Sequence, residues 1–306
     1  MNREKKIYQW TLGTLKKIFG VPKNDGLSRA NIIKYIRLKY GPYLYKKKYG
    51  TAEIIAIMKD FGMKSGSNVF IHSSWNEFYN YTGSEQELIE AILGVIGPTG
   101  TLAMPAYPLR RKGRIFNLKK SVTKGGLLAE EFRKYPGVKR SINDRHSVCA
   151  LGPMADFLLN EHHLGDNCWD EKSPYYKLSQ IDCIVFTLGL SKYFFGTMVH
   201  CVEGVLWKDY PYFRDMFSES KIEHQYIDYD GQTKSYYCYD GIKRTLPGFF
   251  KERKFLRKYI KYQHSSVSNL GITAFRAKQV IPMMIENGRK GVILYSMPSP
   301  RGYHFE

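Results

Sequence analysis

The sequence predicts a layered α/β sandwich with helices covering a largely buried sheet. Three observations point there. Between residues 51 and 204, apolar runs of strand length alternate with segments of helical period. Ile181 to Leu190 is apolar with polar flanks, as expected of a strand covered on both faces. Hydrophobic residues make up 43% of the 306, enough for a sizeable core and too many for wholesale disorder.

The elements follow in chain order. Residues 1–50 read as a basic, mostly helical extension. Ile7, Leu15, Ile18 and Phe19 with Trp10 form a rough apolar stripe among lysines, and Gly20, Pro22 and Gly26 break it. This stretch holds 13 Lys/Arg against 2 Asp/Glu. It fits a helix packed on the core with a solvated basic face, a membrane-surface helix or a nucleic-acid arm. The main domain then covers residues 51–306. Thr51 to Phe61 has helical spacing, and Asn68 to His72 is a short apolar strand. Glu85 to Ile96 is a helix with Leu88, Ile89, Ile92 and Leu93 inward, Thr101 to Met104 a strand, and Leu127 to Lys134 a helix ended by Pro136-Gly137.

Residues 205–262 change in composition and are rich in Tyr, Phe, Lys and Arg. Alternation around Asp230-Gly231 marks a hairpin within 221–239, and Phe249 to Tyr262 reads as a basic helix. This stretch stands apart as a candidate inserted subdomain. A helix near Ala274 to Asn287 and a strand at Gly291 to Tyr295 complete the chain.

Composition narrows the function classes. Cys149, Cys168, Cys183, Cys201 and Cys238 are scattered, odd in number and never in a C-x-x-C pair, which argues against a disulfide framework and a cysteine-rich zinc site. A reducing compartment fits, and no metal is expected. No apolar run reaches the roughly 18 residues of a membrane span, and no signal peptide is visible. A cytoplasmic protein is expected, at most peripheral to the membrane through residues 1–50. The net charge of +19 favours anionic partners over polycations. Dinucleotide, P-loop, nucleophile-elbow and zincin signatures are absent.

Three clusters can carry chemistry. His72-Ser73-Ser74 ends an apolar strand, where ligands of α/β sheets bind; taken alone it fits better a turn that caps the next element. Arg140 to Val148 offers two guanidinium groups, hydroxyls and an imidazole, either for a phosphate or as a polar surface loop. His200 and Glu203 stand three apart, one helical face, so the carboxylate can orient the imidazole as a general base or form a structural ion pair with it.

Read in order, these clusters resemble the aminoglycoside 3-N-acetyltransferase family. The resemblance runs from about Gly66 to Glu203. It takes in His72-Ser73-Ser74, Ile96-Gly97-Pro98, Met104-Pro105, Gly126-Leu127-Leu128, Arg140-Ser141, His146-Ser147-Val148, Leu151-Gly152-Pro153, Ser173-Pro174-Tyr175 and Thr197 to Glu203. It implies an α/β/α sandwich of that family's type, with an inserted hairpin and helix at the acceptor site, and acetyl-coenzyme A as co-substrate. It also implies His200 and Glu203 as the base pair, with His72, Ser73, Ser74, Arg140, Ser141, His146 and Ser147 lining the coenzyme site. Thr197 is a candidate oxyanion donor. The chain departs from the family at Asn143-Asp144, where His-Pro is usual, and residues 1–50 exceed the usual start.

The expected reaction is acetylation of an amino-sugar amine. His200 takes the proton as the amine attacks the thioester, and Glu203 holds the imidazole. Cys201 is adjacent to His200, but helix neighbours do not face each other, which disfavours an acyl-cysteine route. The positive charge, and the cations Lys243, Arg244, Lys251, Arg253, Lys254, Arg257 and Lys258 beside the hairpin, favour a nucleotide-linked amino sugar of surface-polysaccharide assembly. The alternatives are an aminoglycoside of the resistance type and, in another class, a basic nucleic-acid or membrane-surface binding module. No nucleic-acid motif is present.

Overall fold

The computed structural model describes residues 3–22, 29–109, 113–190, 195–243 and 245–306. Gly26, Arg244 and the side chain of Ile7 lie outside the described residues.

The helices are α1 (Arg3–Phe19), α2 (Arg29–Leu44), α3 (Thr51–Asp60), α4 (Glu85–Ile96), α5 (Leu127–Lys134), α6 (Ala155–Leu159), α7 (Pro174–Lys177), α8 (Cys201–Leu206), α9 (Pro211–Arg214), α10 (Phe249–Tyr259) and α11 (Ala277–Arg289). The strands are β1 (Asn68–Ser73), β2 (Thr101–Pro105), β3 (Phe116–Asn117), β4 (Lys139–Arg140), β5 (Val148–Leu151), β6 (Cys183–Leu188), β7 (Ile222–Ile227), β8 (Thr233–Cys238), β9 (Leu246–Pro247), β10 (Tyr262–Val267), β11 (Leu270–Arg276) and β12 (Tyr295–Met297).

Seven strands form one sheet in the order β10-β11-β6-β1-β2-β5-β4. The central pairs β6–β1 and β1–β2 are parallel, and the outer pairs are antiparallel. Alternation along the strands feeds two cores. In β6, Ile184, Phe186 and Leu188 face one side with Ile54 and Met58 of α3, Leu88 and Ile92 of α4, and Phe132 of α5. Cys183 and Val185 face the other, with Val202 and Leu206 of α8 and Val280, Ile281 and Met284 of α11. A sheet covered by helices on both faces is the expected sandwich.

Local chemistry starts and stops these elements. Ser84 caps α4 by accepting from the Glu87 amide at 3.1 Å, Glu85 and Glu87 favour its positive end, and Gly97 closes it at φ 65°.

Three expectations are corrected. The strand assigned at Gly291 to Tyr295 runs instead from Tyr295 to Met297. The helix assigned from Ala274 begins at Ala277, because Leu270 to Arg276 is a strand hairpinned to β10. Its period is two: Ile272 and Ala274 enter one core and Phe275 the other. The basic helix ends at Tyr259, and Tyr262 already belongs to β10. The 221–239 hairpin forms β7 and β8, and β7 also pairs with β3 in a separate three-stranded sheet. In the extension, Trp10 is 72% exposed and Ile18 53%. No helix among the described residues is long and apolar enough to cross a membrane.

Candidate active site

A 3-10 helix, Gly196–His200, leads directly into α8 and carries Thr197 and His200. Its start requires glycine. Gly196 has φ 53°, and a Cβ there would lie 2.5 Å from Cε1 of His72. His72 is thus the buried floor beneath this turn, and burial lowers its pKa to about 4.

One turn on, His200 Nδ1 lies 2.6 Å from Glu203 Oε1. Glu203 is 1% exposed. Its other oxygen, Oε2, accepts the Tyr295 hydroxyl at 2.6 Å, and the same hydroxyl lies 2.9 Å from His200 Nδ1. Tyr295 comes from β12, whose backbone carbonyl at that residue takes the Lys251 ammonium at 2.6 Å. The imidazole is stacked between Trp169, 4.6 Å between centroids and 21° apart, and Tyr295 at 5.7 Å. With Nδ1 facing the carboxylate, Nε2 is the nitrogen left for a substrate proton, and the side chain keeps 19% exposure.

His146 packs beside this group, 6.2 Å from the His200 ring and 4.7 Å from Trp169. Burial, then the neighbouring His200, keeps its pKa well below the usual imidazole value. Thr197 Oγ1 shares a 2.8 Å hydrogen bond with the Tyr107 hydroxyl. Cys201 is fully buried, and burial raises its thiol well above the usual range, which removes the thiolate an acyl-cysteine route needs.

The structure therefore gathers Thr197, His200, Glu203 and His146, and adds Tyr107, Trp169 and Tyr295, which sequence reasoning missed. Arg140, Ser141 and Ser147 are buried and bonded within the chain, which speaks against the phosphate reading. The Arg140 guanidinium is buried; it donates to Ser147 Oγ at 3.0 Å, to the Ser121 carbonyl at 2.5 Å and to the Ala106 carbonyl. Ser147 donates to the same Ala106 carbonyl, and Ser141 bonds the buried His162. These side chains fasten the β4–β5 turn. Ser73 and Ser74 are half-buried at the end of β1, and Ser74 N–H donates to Leu188 O of β6.

Two cavities flank the region. One, of about 510 Å³, lies beyond the ends of β1 and β6; Arg37, Glu77, Gly189, Arg253 and His264 are in its wall. The other, of about 670 Å³, is lined by Pro108, Leu109, residues from Gly113 to Val122 and β7, together with Asp144, Arg145 and Asp240. These last three are close to the histidine cluster: His146 follows Arg145, and a Cβ on Gly241, which follows Asp240, would touch Trp169 at 3.2 Å.

Among the described lining residues of the larger cavity, Arg114, Lys120 and Arg145 oppose Asp144, Glu223 and Asp240. The global positive excess is not concentrated there. The cations of α10 do not line it either: Lys251 is bound to β12, and Lys254, Arg257 and Lys258 border a separate shallow surface pocket.

A sequence model of the aminoglycoside 3-N-acetyltransferase family matches residues 70–287. The chain is 28% identical over 155 residues to an SPbeta prophage-derived aminoglycoside N(3')-acetyltransferase-like protein, YokD, of Bacillus subtilis (strain 168), covering 43% of this chain and 57% of that protein. It is 28% identical over 140 residues to aminoglycoside N(3)-acetyltransferase IV of Salmonella sp, covering 45% of this chain and 53% of the relative. The matches thus span little more than half the length of these relatives. Among solved structures, AAC-IIIb in a binary complex with CoASH aligns with a TM-score of 0.66 at 21% identity, over 83% of this chain and 100% of that one. An AAC(3)-IVa variant in complex with a gentamicin aligns with a TM-score of 0.65 at 21% identity, over 83% and 93%.

Proposed function

The chain belongs to the aminoglycoside 3-N-acetyltransferase family, and from that premise we propose that it transfers the acetyl group of acetyl-coenzyme A to an amine of an aminoglycoside. The observation that carries the reading is the His200–Glu203–Tyr295 group beside the 670 Å³ cavity. His200 Nε2 removes the ammonium proton as the amine attacks the thioester carbonyl. The buried Glu203 carboxylate fixes the tautomer and stabilises the imidazolium, and general-base help from His200 of this kind is worth about 10²–10⁴-fold. The tetrahedral oxyanion takes a hydrogen bond from Thr197, whose own oxygen is held by Tyr107. The thiolate of coenzyme A leaves, and no covalent enzyme intermediate is required.

The acceptor lies in the larger cavity, walled in part by β7 of the hairpin within the 205–262 acceptor-site subdomain. The coenzyme phosphates lie at the smaller cavity, near the half-buried Ser73 and Ser74. Arg253 supplies positive charge there, and Arg37 stands in the same wall ion-paired to Glu77 at 3.0 Å. The nucleotide-linked amino sugar expected from net charge finds no support: the relatives are named for aminoglycosides, and the cavity's described charges balance.

Thiol release from acetyl-coenzyme A, measured against a panel of aminoglycosides and nucleotide-linked amino sugars, tests this. Turnover with at least one aminoglycoside is expected. Turnover with nucleotide-linked sugars alone would return the acceptor to the polysaccharide reading. Thiol release with neither, together with salt-sensitive nucleic-acid binding, would point to a binding module.

A further inference from the structure

We propose that the wall of the larger cavity holds a divalent metal ion of the zinc class, ligated by His224, Cys238 and Asp240. All three residues are buried, and one donor atom from each lies within 4.8 Å of the other two. A tetrahedral zinc with ordinary bond lengths spaces its ligands by about 3.3–3.8 Å, so small side-chain movements close the site.

Each ligand is anchored from behind. His224 Nδ1 lies 3.0 Å from Asp144 Oδ1, and that carboxylate is held by the Tyr236 hydroxyl at 2.8 Å. Asp240 Oδ2 takes the Arg145 guanidinium, and the Asp240 amide donates to Ser218 Oγ at 3.0 Å. The remaining atoms, His224 Nε2 and Asp240 Oδ1, lie 3.1 Å apart, an ion pair when the ring is protonated, and neither meets hydrogen-bond geometry with any other described residue. A proton on Nδ1 leaves a lone pair on Nε2. With that tautomer two buried lone pairs face each other, and the positive charge between them comes either from a second proton on the imidazole or from a metal ion. A carboxylate behind the distal nitrogen is also the usual support of a metal-bound histidine.

The thiol distinguishes a metal from a simple imidazolium between two carboxylates. Cys238 contributes nothing to such an ion pair, but it is the soft donor zinc prefers. The hairpin register pairs His224 with Tyr236, so Cys238, two residues on, shares its face. A fourth donor is at hand: Cys168 is buried within hydrogen-bonding reach of the Cys238 thiol. Metal binding would release the thiol protons to solvent. It would tie the hairpin to the segment carrying Trp169, whose ring stacks on His200. The inference does not depend on which acceptor is acetylated.

The test is elemental analysis of the full-length chain, purified without a histidine tag or chelator, before and after incubation with Zn²⁺ and gel filtration. About one zinc per chain is expected. The Co²⁺-loaded protein should show a thiolate-to-cobalt charge-transfer band. His224→Gln and Cys238→Ser should lose both signals, while Cys149→Ser, altered in the main sheet, keeps them. Folded wild-type protein holding less than about 0.1 metal per chain after Zn²⁺ incubation, with no cobalt band, overturns the proposal whether or not the variants fold.

Discussion

Tyr295 donates its hydroxyl to Glu203 Oε2 at 2.6 Å, joining residues 92 apart in sequence. The carboxylate that steadies the candidate base, on α8, is therefore itself held from the strand β12. Tyr295→Phe removes this bond and leaves a buried charge less well solvated. A roughly 10-fold fall in kcat is expected, about 1.4 kcal/mol, with KM for acetyl-coenzyme A unchanged. An unchanged kcat in a folded variant would show that His200 needs only Glu203.

His200→Ala should lower turnover by at least about 100-fold while acetyl-coenzyme A still raises the melting temperature. Glu203→Gln keeps the shape but not the charge, and should fall between the alanine variant and wild type. Steady-state kinetics with thermal shift measurements checks both. Normal turnover in either folded variant removes that residue from the mechanism.

Arg140→Met separates a structural arginine from a phosphate ligand. The substitution strips the Ser121 carbonyl of a donor and the Ala106 carbonyl of one of two. A loss of about 2–3 kcal/mol in unfolding free energy is expected, with little change in coenzyme KM. Denaturant unfolding and kinetics decide the matter: a stable protein with greatly raised coenzyme KM restores the phosphate role.

His72 makes stability depend on pH. Burial lowers its pKa from 6.5 to about 4 in the folded chain. Below pH 6.5 the unfolded chain takes up a proton that the folded chain refuses until about pH 4. The stability is thus fully present above the unfolded value and falls as pH drops through this window, by on the order of 3 kcal/mol. Unfolding curves at pH 7 and pH 5 should differ in this direction, and His72→Gln should flatten the difference.

The helices α4 and α5 were legible to the residue, because charge and an apolar period of 3.6 agree in both, and Ser84 caps α4. The hairpin β10–β11 was not. Polar residues dominate β10, and the apolar positions of β11 run into those of α11, so one period masked another. In the site, His200 and Glu203 are neighbours on one turn and could be found by spacing. Tyr295, Trp169 and Tyr107 reach them only through tertiary packing, and nothing in their local sequence marks them. Arg140 shows the reverse failure: a charged, polar loop looked ligand-facing, but its guanidinium is spent on carbonyls of the chain itself.

The small sheet β3-β7-β8 shares no strand with the seven-stranded sheet that positions the candidate base. Changes at outward positions such as Glu223 or Gln225 alter the cavity lining without entering the ladder that supports His200. Effects at such separated sites tend to add. Acceptor preference can therefore drift, or be redesigned, one wall residue at a time while the acetyl-transfer machinery stays as it is.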